Sequence, residues 1–206
     1  NSGGEEADFP ANALLPCVDA LRLEKDVEQM HLCLAYPGLR HMDEERYSMM
    51  ALSGMLGGGV SSRLFQHLRE EQGLVYSIYA SPSSYPDCGE FTVYAAASPR
   101  SIKKVIKGIR QETGKVLDKG FLEEEFLRTM AQIRTAYVLS QESAYQRMAH
   151  FGTQLLTTGS IIPAKEILKK LDRVKLQDVN ALARKNLAQS CALALVGKGV
   201  AKINIG

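Results

Sequence analysis

The chain has 206 residues, of which 45% are hydrophobic and 23% are charged, and its formal net charge is only +2. This composition is that of a globular chain and excludes disordered and collagen-like proteins. The near-neutral charge balance gives no argument for nucleic acid as a partner. No apolar run approaches the roughly 18–20 residues that a membrane span needs.

The chain contains four cysteines, Cys17, Cys33, Cys88 and Cys191. They stand far apart without a C-x-x-C pair, a spacing typical of free thiols in a reducing compartment. The first residues have neither a basic start nor an apolar h-region and are interpreted as a linker or leader. We therefore assign residues 1–20 to that segment and residues 21–206 to one domain. The sequence leaves the localisation unknown, although thiol usage and the missing signal favour the cytoplasm.

The first half of the chain alternates between strand and helix patterns. Period-two alternation predicts a strand over 27–36, which Pro37 and Gly38 end. The elements expected after it are a helix capped by Asp43 and ending at residues 57–59, a short helix from Ser61 or Ser62 to Gly73, and strands over 74–80 and 90–96. On the first of these two strands, Leu74, Tyr76, Ile78 and Ala80 are expected on one face. The two strands are expected to pair as an antiparallel hairpin around the turn-rich loop 81–89.

The second half is predicted to be mainly helical. The expected elements are a helix opened by Ser98 and Pro99, a long amphipathic helix from Leu122 towards Leu155, helices opened at Pro163 and Asp178, and a final strand over 191–196. Strands without strict βαβ alternation indicate an α+β fold. We expect a mostly antiparallel sheet with helices layered on one face.

The chain contains four histidines, His31, His41, His67 and His150. A catalytic zinc ion needs about three protein ligands, often including two histidines at fixed helical spacing. Residues 41–45, His-Met-Asp-Glu-Glu, approach the inverted motif H-x-x-E-H but end on Glu45. No histidine has a partner at ligand spacing, so the sequence predicts no metal site within this chain.

Motifs for nucleophilic catalysis and phosphate binding are also missing from the sequence. There is no G-x-S-x-G elbow, and the nearest cysteine–histidine pair is His31 and Cys33 on one strand face. Residues 56–60, Leu-Gly-Gly-Gly-Val, lack the Lys-Ser/Thr of a P-loop. This glycine-rich stretch predicts a helix end followed by a flexible connection.

The most informative pair is Arg69 and Tyr76, which stand seven residues apart across a helix–glycine–strand corner. A guanidinium donates hydrogen bonds to a peptide carbonyl, and a phenol stabilises a developing oxyanion. Structural roles explain the same residues, because an arginine in the last helical turn complements the helix dipole and a strand tyrosine often packs. Spacing alone leaves both interpretations open.

Residues 57–80 resemble the signature of the C-terminal half of insulinase/pitrilysin-type zinc peptidases, especially the mitochondrial-processing-peptidase-like bacterial members. Outside this block the resemblance is one of element order, from about Ala20 to Val196. It implies two homologous α+β halves around a chamber, with H-x-x-E-H in the first half and an Arg–Tyr pair in the second. Arg69 and Tyr76 match that pair, and the resemblance implies that they position substrate and stabilise the transition state. Gly57, Gly58 and Gly59 are further candidate substrate-binding residues.

Because the zinc motif is absent, the resemblance implies that this chain alone does not hydrolyse peptides. Zinc is expected in a missing or partner half, and the expected partners are that zinc-bearing half and extended peptide substrates. Two alternatives stay open. One is a non-catalytic scaffold or interaction subunit of the same fold, against which the retention of Arg69 and Tyr76 speaks. The other is an unrelated α+β binding module.

Overall fold

The structure, a computed structural model, describes residues 20–203. Its strands are β1 (Ala20–Glu24), β2 (Met30–Pro37), β3 (Val75–Ser84), β4 (Gly89–Ala97) and β5 (Ala192–Gly197). Its helices are α1 (Arg46–Gly57), α2 (Ile102–Lys119), α3 (Glu123–Ser140), α4 (Ala144–Thr158), α5 (Ala164–Asp172) and α6 (Leu176–Leu187), with a π-helix at Phe65–Glu71 and a 3-10 turn at Val200–Lys202. The predicted α+β class is confirmed. Cys17 and residues 1–19 of the segment assigned as a linker lie outside the described range.

The five strands form one open sheet in the order β1-β5-β2-β4-β3, and every neighbouring pair is antiparallel except β1 with β5. Central strand β2 follows the predicted alternation, because Met30, Leu32 and Leu34 are buried while the residues between them are half-buried. Apolar residues at every second position are typical of a strand with one buried face. The sheet therefore has one face packed into the core and one face that is more open.

Strand β1 was not among the predicted elements, and it begins at Ala20, one residue before the predicted domain start. It pairs in parallel with β5, with Leu21 opposite Ala194. Leu21 and Leu23 are exposed at this edge of the sheet. Because its pairing partner comes about 170 residues later in the chain, local periodicity carried no signal for it.

One hydrophobic core joins the inner face of the sheet to the helices. Leu52 of α1, Ile109 of α2 and Leu182 of α6 are fully buried in it together with Leu32 and Leu195 of the central strands. Burying each such side chain contributes roughly 1.5–3 kcal/mol. This core fixes the π-helix and β3, which carry the candidate site, against the rest of the fold.

The predicted cap of α1 is wrong. The residue before the helix is Glu45, which makes no side-chain cap, and the Asp43 carboxylate accepts the backbone N–H of Arg40 at 2.8 Å instead. Asp43 takes part in a tight turn before the helix, since its carbonyl also accepts the N–H of Arg46. An aspartate readily satisfies local backbone donors in a turn, and that competes with capping.

The long helix predicted from Leu122 towards Leu155 is two helices. Helix α3 ends at Ser140, and α4 begins after Ser143, whose hydroxyl accepts the N–H of Gln146 at 3.3 Å. The apolar periodicity continues across this break because α4 has an apolar face of its own. The predicted hairpin of β3 and β4 is confirmed, with a shorter connection over residues 85–88. None of the helices in the described range combines the length and apolar character that a bilayer crossing requires.

Candidate functional site

The corner between the π-helix and β3 is closed by backbone hydrogen bonds around a left-handed glycine. Gly73 has a φ of +60°, its N–H donates to the carbonyl of Arg69 at 3.2 Å, and the N–H of Leu74 donates to the carbonyl of Leu68 at 2.9 Å. A residue with a side chain is strained at this φ. The predicted glycine cap is confirmed, and it fixes the direction in which the chain leaves the helix.

Arg69 lies in the last turn of the π-helix and is exposed. Its guanidinium carbon lies 5.1 Å from the centre of the Phe65 ring, which supports the side chain from one side. Within residues 20–203 this guanidinium has no carboxylate partner. Its planar set of donors is therefore available to an acceptor outside the chain.

Tyr76 occupies a β-bulge. The pairing of β3 with β4 shifts between Val75 and Ser77, so Tyr76 has no partner of its own in the ladder. The prediction that Tyr76 shares a face with Ile78 and Ala80 is wrong, because the bulge inverts the alternation: Tyr76 is 57% exposed and Val75 only 7%. The bulge thus turns the phenol out of the core.

Arg69 and Tyr76 are brought to one corner of the fold and are both exposed. No contact joins their side chains in the part of the chain that the structure describes. The structure therefore exposes a guanidinium and a phenol at this corner without pairing them with each other.

The three glycines at the end of α1 differ from one another. Gly57 is buried, and a Cβ built on it would lie 2.5 Å from the backbone nitrogen of Ala80 in β3. A Cβ on Gly59 would meet nothing within 4 Å. Gly58 and Gly59 are exposed, whereas Gly57 lets α1 pack directly on the strand that carries Tyr76.

Sequence reasoning missed a second arginine in this segment, Arg63. Its Nε and Nη2 donate to the two oxygens of Glu125, each at 2.7 Å, and Nη2 also donates to the carbonyl of Gly120 at 3.0 Å. The guanidinium lies 4.7 Å from the ring centre of Phe121. Arg63 therefore ties the chain just before the π-helix to the connection between α2 and α3. No local pattern reveals this pair, because 62 residues separate its members.

Glu125 is ionised by its surroundings. Burial by itself raises the pKa of this carboxyl, but the hydrogen bonds from Arg63 and from the N–H of Leu122, with the positive charge of Arg63 and Arg128, outweigh it and lower the pKa. The carboxylate also closes the first turn of α3, since the Leu122 N–H donates to it at 2.7 Å. The pair is a charged clamp at neutral pH.

His31 and Cys33, the nearest cysteine–histidine pair in the sequence, are not arranged for catalysis. His31 Nδ1 lies 2.7 Å from the Tyr94 hydroxyl, so its hydrogen bond goes to the neighbouring strand. Burial, and then the charge of Glu90, raises the pKa of the Cys33 thiol. An activated cysteine requires the opposite shift.

The described residues do not fit a zinc site. Among residues 20–203 there is no group of three His, Cys, Asp or Glu side chains that could hold a metal ion. His67 contacts Glu71 and Gln72 and lies 3.8 Å from the Glu112 carboxylate of α2, and His150 contacts Gln154. No step of metal chemistry is assigned to these residues.

The sequence matches the family described as the peptidase M16 inactive domain over residues 2–133. The chain belongs to this family, which confirms the resemblance to the C-terminal half of insulinase/pitrilysin-type zinc peptidases. It is 37% identical over 173 residues to an uncharacterized zinc protease of Streptomyces coelicolor, covering 84% of this chain and 38% of that protein. It is 35% identical over 178 residues to the uncharacterized zinc protease YmxG of Bacillus subtilis, covering 86% and 44%. The chain thus spans less than half the length of these curated relatives.

Solved structures show the same fold. A peptidase M16 inactive domain from Pseudomonas fluorescens superposes with a TM-score of 0.79 at 18% identity, covering 88% of this chain and 44% of that chain. A conserved protein from Enterococcus faecalis gives 0.76 at 21% identity, covering 96% and 46%. A chain of complex III2 from Candida albicans gives 0.74 at 18% identity, covering 87% and 45%. At these identities the likeness concerns the fold alone.

Proposed function

We propose that this chain is the substrate-positioning half of a zinc-dependent endopeptidase and is inactive without a zinc-bearing half. The curated relatives named above are called zinc proteases and are more than twice as long as the segment they share with this chain. The described residues hold no metal site of their own. Water activation then belongs to the other half, and this half binds the substrate.

The observation that carries the proposal is the exposure of Arg69 and Tyr76 on one corner. Leu68 and Val75 are buried beside them, while residues 70–73 between the two side chains are also exposed. A side chain placed outside the core at a bulge, next to an arginine without an acidic partner, supports a ligand-binding role over a packing role.

Each residue has a distinct role in this proposal. The Arg69 guanidinium donates hydrogen bonds to carbonyl oxygens of an extended peptide and so holds its backbone in register. The Tyr76 hydroxyl donates to the oxyanion that forms when water adds to the scissile carbonyl. Gly58 and Gly59 form an open loop beside the substrate, while Gly57 keeps α1 against β3.

A scaffold function without catalysis is the second candidate, because the fold also occurs in a chain of complex III2 from Candida albicans. A scaffold has no use for an exposed, unpaired Arg69 and Tyr76. The two candidates differ in one measurable property, which is whether this chain is needed for peptide cleavage.

The test is a complementation assay with a fluorogenic peptide. Three samples are assayed, which are this chain alone, a separately produced zinc-bearing half alone, and the two together, and zinc is quantified in each sample. We expect no cleavage and no stoichiometric zinc for the chain alone, and cleavage when both halves are present. Cleavage by the zinc-bearing half alone at the full rate would support the scaffold and overturn the proposal.

A further inference from the structure

Helix α4 carries an exposed apolar face. Leu156 is 89% exposed and Met148 is 63% exposed, and Tyr145 and Leu155 are exposed beside them. At about 100° per residue these four side chains fall within one quarter to one third of the helix circumference. We call this set, Tyr145, Met148, Leu155 and Leu156, the α4 face.

On the opposite side of α4, the polar contacts are local to the helix and the loop that follows it. Gln154 is the buried residue of the helix, its amide oxygen accepts the N–H of Ile162 at 2.7 Å, and its nitrogen lies 2.6 Å from His150 Nε2. No residue of α4 belongs to the hydrophobic core cluster of the described chain. A surface helix of an isolated domain normally buries its apolar side. In α4 the apolar side is exposed instead.

A contiguous apolar surface of this kind marks an interaction site. The relatives that match this chain contain more than half of their sequence outside the matched segment, since the segment covers 38–44% of them. Helix α4 contains Arg147 and no acidic residue. The surface that covers it is therefore expected to be apolar, with a neutral or acidic rim.

We infer that the α4 face is where the zinc-bearing half docks. This inference rests on the proposed function, because it takes the zinc-bearing half as the partner. It adds the location of the contact, which is helix α4 and involves neither Arg69 nor Tyr76.

The experiment uses this chain with the zinc-bearing half produced as a separate polypeptide. Hydrogen–deuterium exchange of residues 145–156 is compared in the chain alone and in the mixture. We expect the amides of α4 to exchange at least about tenfold more slowly in the assembly. Met148→Glu and Leu156→Glu should weaken association by roughly ten- to a hundredfold.

The matched control is Met42→Glu, because Met42 is 60% exposed in the loop before α1, close to the value for Met148. Circular dichroism checks that all variants fold. The inference would be overturned if Met42→Glu and Met148→Glu weakened association equally, or if the two halves assembled without slowing amide exchange in α4. Either result would leave the proposed function intact. A chain that is dimeric alone and becomes monomeric on Met148→Glu would overturn it in favour of a second copy. Absence of any assembly, seen by light scattering, would instead defeat the proposed function.

Discussion

Arg63 and Arg69 lie six residues apart on one short segment, and the structure uses them in opposite ways. Arg63 is mostly buried, with a bidentate bond to Glu125 and a further bond to Gly120. Arg69 is exposed and lies over the Phe65 ring with no acidic partner in the range 20–203. The comparison teaches that an identical side chain can be buried in an ion pair that stabilises a corner at one position and be exposed without an acidic partner six residues later.

The largest expected effect is on catalysis and comes from the exposed corner that carries Arg69 and Tyr76. Tyr76→Phe removes the hydroxyl and keeps the ring, so we expect turnover in the assembled enzyme to fall about 100-fold, as loss of an oxyanion donor typically does. Zinc content and the free energy of unfolding should be unchanged, because the side chain is exposed. Steady-state peptide cleavage and metal analysis measure both. Tyr85→Phe, an exposed tyrosine in the β3–β4 turn, is the control, and an equal loss there would contradict the assignment.

The buried arginine should matter for stability instead. Arg63→Ala leaves the Glu125 carboxylate half-buried without its partner, and we expect the free energy of unfolding to fall by about 3 kcal/mol. Arg69→Ala should change it by no more than about 0.5 kcal/mol. Urea denaturation of this chain gives both values. Similar losses of unfolding free energy for the two variants would contradict the conclusion that Arg63 stabilises the fold and Arg69 does not.

The glycines that precede the segment offer a second contrast. Gly57→Ala places a Cβ against the backbone of β3 and should destabilise the chain by about 1–3 kcal/mol. Gly59→Ala meets open space, so we expect a change within about 0.5 kcal/mol. Thermal or urea unfolding measures the difference. Equal effects would show that α1 does not rest on β3 through Gly57.

The smallest effect concerns pH. The lowered pKa of Glu125 in the folded chain means that its ion pair stabilises the fold above the ordinary glutamate pKa of about 4.3 and that this stability is lost as the pH falls through the folded value. The difference in unfolding free energy between the wild type and Glu125→Gln should therefore be largest near neutral pH and shrink in acid. A difference in unfolding free energy that grows towards pH 3 would contradict a stabilising Arg63–Glu125 ion pair.

Most of the fold was predictable because its elements show apolar periodicity and cap signals among residues that are close in the sequence. The alternation of Met30, Leu32 and Leu34 and the glycine cap at Gly73 each depend on neighbours within a few residues. Strand β1 and the Arg63–Glu125 clamp were not predictable, because their partners lie far along the chain. Composition and spacing gave no hint of either pairing.

The candidate site was predicted in part. Arg69 and Tyr76 were identified by their spacing and by a family resemblance, whereas the face of β3 that carries Tyr76 was predicted wrongly, since plain alternation places Tyr76 on the same face as Ile78. The bulge at Tyr76 reverses that pattern, and a bulge inserts one residue without a distinctive local sequence. The roles of Arg69, Tyr76 and the three glycines toward substrate stay predictions; these glycines are Gly57, Gly58 and Gly59.

The most direct test of the central claim compares two arginines in equivalent helical positions. Arg184 is exposed in the last turn of α6, as Arg69 is in the last turn of the π-helix, so both variants lose the same interaction with a helix dipole. In the assembled enzyme we predict that Arg69→Ala lowers kcat/KM by about 100-fold and that Arg184→Ala leaves it within roughly twofold. Equal kcat/KM values for Arg69→Ala, Arg184→Ala and the wild type would contradict the assignment of Arg69 to substrate binding.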